Sequence, residues 1–482
     1  MGLIISIIVF LCLFLNQGKA ALAVNNLDWA KNKFGIHVTS NVDDLKLADS
    51  LLNTNGGDWG WITVVIREDE LSKQHWQNFF NHCRRLHLIP IVRLSTYPKE
   101  SVWIKPGKNS IRIMADFLNQ LNWPIKNQFI IIYNEPNRGD EWGGIADPKG
   151  YFDLLEFSAD YFHSLNENFF ILSGGLDLAA PYQPGKYYSP EEFYRQGYIV
   201  NQEVFEKIDG LASHSYPNHG YMGAATDQGK TSIKGWQWEL DYLKTLGVKK
   251  TLPVFITETG WPHQEGKIEN NRFYPAEKTA QFISQAYQIW EKEDQVIAVT
   301  PFILSHQSGT FTNFSWLDQD QKPYSQYQAV SKIEKRSQKP PQIEEITVRK
   351  INLPLTDNSD EVYWGEITLE NTGQSIWGEK EKFCFNPFEE NQGVGYLSSL
   401  CLKQGQTKEP ESRSTFRFEI TFKRRAGLIQ FGWEKTAQFR IKKLPLLFPA
   451  REIRAKDQGP NLPLEGETLP AGDRFRLRVP LF

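Results

Sequence analysis

The sequence predicts an α/β protein: a (β/α)8 TIM barrel followed by a smaller all-β domain. Three observations predict it. Between about residues 34 and 327, short apolar runs alternate with amphipathic helical stretches. A polar stretch at 335–342 then carries Pro340-Pro341, where no helix can continue. Beyond it, apolar residues recur at every second position. At 482 residues the chain is also too long for one ordinary core.

The elements follow in order. Eight apolar runs lie at 34–38, 61–67, 88–94, 129–133, 170–176, 210–216, 253–257 and 296–304. Helical spacing shows between them, with leucines at 45, 47, 51 and 52 and the face Trp76, Phe79, Phe80, Cys83. The stretches 151–165 and 276–290 repeat it most clearly. Eight such alternations in about 300 residues are what a closed barrel requires. A doubly wound sheet is the competing fold, but its Gly-rich phosphate turn is missing after the first run, which continues His37-Val38-Thr39-Ser40. In the C-terminal part, 361–369 and 414–422 alternate as half-buried strands, with the turn signal Asn371-Thr372-Gly373 between them. The expected domains are a barrel at 24–334, a linker at 335–342 and a β-sandwich at 343–482. From 444 onward that sandwich gives way to a Pro- and Gly-rich tail.

Composition is that of a globular protein, and a net charge of −3 gives no footprint for nucleic acid. Residues 1–23 read as a signal peptide, with an apolar run to Leu15 and Ala21-Leu22-Ala23 as the cleavage signal. The same run also fits an uncleaved anchor, and either reading exports the chain, as a secreted protein or one associated with the cell envelope. Of the four cysteines, Cys12 lies in the leader, Cys83 on a buried helix face, and Cys384 and Cys401 could form one disulfide. No CxxC or HExxH spacing indicates a metal, and no cofactor is expected.

Two glutamates carry the chemistry. Glu135 follows Phe129-Ile130-Ile131-Ile132-Tyr133-Asn134, and Glu258 follows Pro253-Val254-Phe255-Ile256-Thr257. A buried strand has no reason of its own to end on a charge, which is costly to bury unpaired. On a barrel, functional groups gather where strands end, so closure would bring the two carboxylates together. Such a pair can cleave a glycosidic bond, one as nucleophile and one as proton donor. The bland alternative is that each glutamate caps the next helix or pairs with an arginine.

Tyr133-Asn134-Glu135-Pro136-Asn137 resembles the strand-four signature of clan A glycoside hydrolases. Thr257-Glu258-Thr259-Gly260-Trp261-Pro262 resembles that clan's strand-seven nucleophile segment, as written in families 17, 5, 39 and 53. The resemblance spans roughly residues 30–330. It implies a retaining β-glycosidase acting on a β-linked oligo- or polysaccharide. Glu258 would be the nucleophile, Glu135 the acid/base, and Asn134 a donor to the sugar 2-hydroxyl. His214 and Tyr216 end the sixth run, where the clan orients its nucleophile; Tyr216 is the first choice and His214 the second. An arginine on strand two or three commonly pairs with the nucleophile, so both Arg67 and Arg93 qualify. Arg93 follows the cleaner apolar run, and Arg67 has Glu68 and Asp69 beside it. His37 ends strand one and could hold a hydroxyl or sit bonded in the core.

The clan often floors its first sugar subsite with a tryptophan after strand eight. This chain departs from that with Pro301-Phe302-Ile303-Leu304-Ser305-His306. The floor then falls to Phe302 or His306, or to Trp316 folding back. Trp142 and Trp261 are further stacking candidates, with core packing as the alternative for each tryptophan. Long loops at 177–201, with Tyr182, Tyr187 and Tyr188, and at 218–235 would shape the cleft. Asn371-Thr372-Gly373-Gln374-Ser375-Ile376-Trp377 resembles a segment of Ig-like sandwiches appended to exported bacterial proteins. Two other readings share these residues: a transglycosylase, in which a second sugar replaces water, and a carbohydrate-binding protein that keeps the barrel as a scaffold.

Overall fold

The computed structural model describes residues 31–267, 269–352, 361–379, 383–387, 394–422, 427–433, 437–443 and 453–454. The leader and most of the tail from 444 lie outside them. Among the described residues no helix is long and apolar enough to cross a membrane. The chain divides into two compact units between Pro341 and Gln342.

The first unit is a closed parallel barrel. Its strands are β1 (Gly35–Val38), β2 (Gly60–Arg67), β3 (Leu88–Ser95), β4 (Gln128–Ile131), β5 (Phe169–Leu172), β6 (Leu211–His214), β7 (Val254–Glu258) and β8 (Val296–Val299). The first five form one ladder in that order, and β6 to β8 a second. Parallel bridges Leu172–Gly210 and Phe34–Val299 join the two ladders into a ring. The helices are α1 (Val42–Leu52), α2 (Lys73–Arg85), α3 (Lys108–Leu118), α4 (Pro148–Leu165), α5 (Pro190–Val200), the single turn α6 (Val204–Lys207), α7 (Gly235–Leu246), α8 (Ala276–Trp290) and α9 (Ser325–Ser331). Side-chain caps start several of them: Asn41 on α1, Ser72 on α2, Asp147 on α4 and Ser189 on α5. The last two have Pro just inside the first turn, where its missing N–H costs nothing.

Period-two alternation divides each strand into two faces. One face packs on the helices through Ile62, Val64, Leu88, Val92, Ile130 and Val254. The other fills the barrel with Trp61, Ile89, Ile91, Phe129, Ile131, Phe170, Leu172, Ala212, Phe255 and Ala298. Continued two residues past this inner layer, the same parity puts Arg93 after Ile91 and His214 after Ala212 at the barrel mouth. Lys335 is buried, and its ammonium donates to the Val330, Ser331 and Ile333 carbonyls at and just past the end of α9.

Behind β6 lies a buried carboxyl, Glu239 on α7. It accepts from Tyr194 Oη at 2.6 Å and from Ser213 Oγ, which is itself 2.8 Å from Ser215 Oγ. Burial pushes it up to about 7 from 4.5, against both hydrogen bonds. A raised carboxyl stabilises the fold fully below the unfolded value, and that stability is lost as pH rises through 7. Glu239→Gln keeps both contacts without the charge. It should therefore lose less stability than the wild type between pH 5 and pH 8, by up to about 3 kcal/mol in denaturant titrations.

The second unit is antiparallel. Its strands are β9 (Ile346–Asn352), β10 (Tyr363–Asn371), β11 (Cys384–Pro387), β12 (Val394–Leu397), β13 (Leu400–Cys401), β14 (Arg413–Phe422), β15 (Gly427–Trp433), β16 (Ala437–Lys443) and β17 (Ile453–Arg454). They make one sheet in the order β12-β14-β10-β9-β17 and another in the order β13-β11-β15-β16. The core includes Ile367, Leu369, Trp377, Phe385, Phe416, Phe418 and Ile420. Cys384 and Cys401 face each other across β11 and β13 and form a disulfide. In the Asn-Thr-Gly segment, the buried Asn371 closes a turn by accepting from Gly373 N and donating to the Ser375 carbonyl, and Trp377 stacks on Phe383.

Candidate active site

The mouth of the barrel gathers charge from several strand ends. Glu258 closes β7, but simple alternation would turn it outward, since Phe255 faces in. A bulge corrects this: Ser213 pairs with Ile256 and His214 with Glu258, which leaves Thr257 as the extra residue. Inserting one residue re-aims everything after it. Glu135 lies four residues past the end of β4, not on its last position. Tyr133 and Glu135 hold φ of 64° and 33°, in the left-handed region that side chains seldom adopt. Glu135 N donates to Gly175 O at 3.0 Å, which anchors this turned segment beside the end of β5.

The two carboxylates meet around His214. Its Nδ1 lies 2.9 Å from Glu135 Oε1 and 3.8 Å from Glu258 Oε2. One atom from each of the three residues lies within 4.8 Å of the other two. A divalent ion could span that set, but the chain already supplies the cations. Arg93 Nη1 donates to Glu258 Oε1 and, at 2.8 Å, to Asn134 Oδ1. Arg138 Nε stands 3.6 Å from Glu135 Oε2. Tyr216 Oη donates to Glu258 Oε2 at 3.1 Å.

Electrostatics separate the groups. Burial would raise the Glu258 carboxyl, but His214 and Arg93 outweigh it and hold it at about 2. Burial disfavours the charged form of His214, yet Glu258 and Glu135 lift it above the ordinary histidine range. The His214 ring lies against Gly175, where a Cβ would come 2.2 Å from its Cδ2. His37 is 3% exposed on the inner face of β1. Burial, with Arg93 nearby, pushes it down to about 3, so it is neutral near pH 7. Neither of its ring nitrogens has a partner among the described residues.

An aromatic wall rises from the Glu258 side. His37 meets the edge of Phe302 at 5.2 Å, Phe302 meets Phe311 and Phe314, and Phe314 meets Tyr221, which packs on Tyr216 at 5.1 Å.

The structure thus brings together Glu135, Glu258, Asn134, Arg93, His214, Tyr216, His37 and Phe302. It does not bring the others. Arg67 pairs with Asp69 at 2.5 Å and Glu70 at 3.2 Å: its register partner is Ser95, while Arg93 pairs with Val65, so Arg67 stands above the mouth. Trp142 is 1% exposed and packs between Tyr133 and Tyr151. Trp261 is 3% exposed, donates to the Gly223 carbonyl and lies against Phe282. Trp316 is 4% exposed in the helix-side core, so it does not fold back over the site. Each of these tryptophans has its ring buried in packing and offers no open face to a sugar. His306 stands at the rim against the exposed Phe311.

Some groups went unread in the sequence. Glu141, after β4, is pushed up to about 7 by burial and the Glu135 charge, against Arg93 and Asn134. Asp177, after β5, is raised by burial and by Glu135. Tyr221 lies within range of both glutamates and is pushed up to about 12, by burial first. The signal was the charged run Arg138-Gly139-Asp140-Glu141 directly after the Asn-Glu-Pro-Asn segment, which reads as an ordinary polar loop.

No protein-family model matches the chain, and no curated protein does. Among solved structures, the chain is similar to a family 39 glycoside hydrolase from the gut symbiont Bacteroides cellulosilyticus WH2, at 16% identity over 82% of each chain and a TM-score of 0.45. It is similar to a monomeric beta-xylosidase from Caulobacter crescentus CB15, at 11% identity over 81% of this chain and 96% of that one, with a TM-score of 0.45. An endo-beta-1,3-glucanase of family GH128 from Pseudomonas viridiflava matches 63% of this chain and 98% of its own, at 14% identity and a TM-score of 0.41.

Proposed function

We propose that the chain is an exported glycoside hydrolase that cleaves β-glycosidic bonds with retention. The observation that carries the reading is the spacing of Glu135 and Glu258, which have carboxylate oxygens within 4.8 Å of each other. Retaining enzymes hold their carboxyls about 5–5.5 Å apart, and inverting ones need several ångströms more for a water.

In the first step Glu258, ionised at neutral pH, attacks the anomeric carbon while Glu135 gives its proton to the departing oxygen. In the second, Glu135 takes a proton from water, which displaces Glu258. Arg93, Tyr216 and His214 steady the Glu258 anion and release it as the ester forms. Arg93 occupies the Oδ1 of Asn134 and Glu141 takes one amide hydrogen, which leaves the second for the sugar 2-hydroxyl. The two bare nitrogens of His37 suit a further hydroxyl, because an unpaired buried polar group costs free energy until a ligand or water meets it. Phe302 offers an apolar surface where a sugar ring would rest. Export fits both the leader sequence and the Cys384–Cys401 disulfide.

Mass spectrometry of the intact protein after incubation with a panel of 2-deoxy-2-fluoro glycosides tests the mechanism. One added sugar on the native chain, located at Glu258 and absent from Glu258→Gln, is the expected result. Hydrolysis with inverted anomeric configuration, or an adduct on another residue, would overturn it.

A further inference from the structure

Arg138 lies beside the proton donor but belongs to no pair the double displacement requires. It sits three residues after Glu135, with Nε 3.6 Å from Glu135 Oε2. Two aspartates hold it there. Asp140 accepts from Nε at 3.2 Å and from Nη2 at 2.7 Å, a two-pronged bond that fixes the guanidinium plane. Asp177, on the adjacent loop after β5, accepts from Nη1 at 3.3 Å. Asn137 fastens that loop, donating to the Asp177 and Tyr188 carbonyls and accepting from Asp177 N.

We propose that Arg138 is a positioning residue that stabilises the carboxylate formed on Glu135 as its proton passes to the leaving oxygen. This rests on the retaining-hydrolase reading. In that step the anomeric carbon exchanges its bond to the leaving oxygen for one to Glu258, and the proton moves from Glu135 to the departing oxygen. Negative charge therefore grows on Glu135 next to a guanidinium that needs no reorganisation to meet it. The help matters most where the leaving group is poor, as a sugar hydroxyl is, because proton transfer is then most advanced. The other groups facing Glu135 are His214, Asp177, Glu141, Glu258, Arg93 and Tyr221. Asp177, Glu141 and Glu258 oppose negative charge at that place, while His214, Arg93 and Arg138 favour it.

The test compares wild type, Arg138→Gln and Arg138→Lys on aryl β-glycosides of the sugar whose fluoro derivative labels Glu258, with phenols of graded acidity. Activity falls at high pH as the donor loses its proton. Arg138 favours that loss, so the Gln variant should move the basic limb of kcat/KM upward by about one pH unit. It should lose about ten-fold on phenyl glycosides and two- to three-fold or less on dinitrophenyl ones, which leave without a proton. The Lys variant keeps the charge but not the two-pronged bond to Asp140, so it should fall between wild type and Gln in both readouts. Gln matching wild type in both readouts, or Lys matching Gln, would overturn the proposal. Labelling of Glu258 in each variant establishes that the site is folded. An unlabelled, inactive wild type would instead sink the retaining-hydrolase reading itself.

Discussion

Replacing Glu258 with Ala should cut turnover by on the order of 10⁴- to 10⁶-fold, and azide should restore part of it with inversion. In the proposed mechanism the residue removed is the one that forms the covalent bond, so what survives comes only from binding and the remaining dipoles. A small anion in the vacated space attacks from the side Glu258 used. Nothing displaces it afterwards, so the product is the α-glycosyl azide. Glu135→Ala should behave differently. With an activated aryl substrate, Glu258 still attacks and the glycosyl-enzyme accumulates. Azide then enters from the opposite face without needing a base and yields the β-glycosyl azide. The anomer found by NMR thus assigns each carboxylate separately, and the same anomer from both variants would refute the division of labour.

Arg93 should have the second largest effect. It is half of a part-buried ion pair and also fixes the amide of Asn134. Arg93→Gln leaves Glu258 buried with less positive charge, so its carboxyl should rise from about 2. In the proposed mechanism Glu258 works only when ionised, so activity should fall as pH drops through that value. The acidic limb should therefore move up by about one to three pH units, with kcat/KM near neutrality lower by about 10²-fold from lost orientation. Arg93→Lys should return most of the acidic limb but little of the rate, because one ammonium cannot reproduce the guanidinium's contacts. An unchanged acidic limb in the Gln variant would mean that other groups hold the charge.

Much of the barrel was legible because each buried strand is an apolar run of the right length between amphipathic helices. Inner-face parity also ranks the arginines once register is known, since Arg67 and Arg93 share a face and differ only in height. The site was less legible. Glu258 faces inward through a bulge at Thr257, and nothing in Phe-Ile-Thr-Glu announces an extra residue. Glu135 is displayed by a left-handed turn on residues with side chains, which local preference would not choose. The tryptophans misled because burial and stacking draw on the same chemistry. Trp142, Trp261 and Trp316 went to packing, and the wall beside Glu258 came from phenylalanines and tyrosines on two loops distant in sequence.

The contact between Gly175 and His214 bears on how far such a sequence can drift. The imidazole occupies the room a side chain at 175 would need. A descendant that acquired even alanine there would have to swing the ring away from both glutamates. Position 175, silent in the chemistry, is therefore a marker of it. Homologous chains with glycine at that place can keep one histidine shared between two carboxylates, and those with any larger residue must have found another way to orient their acid.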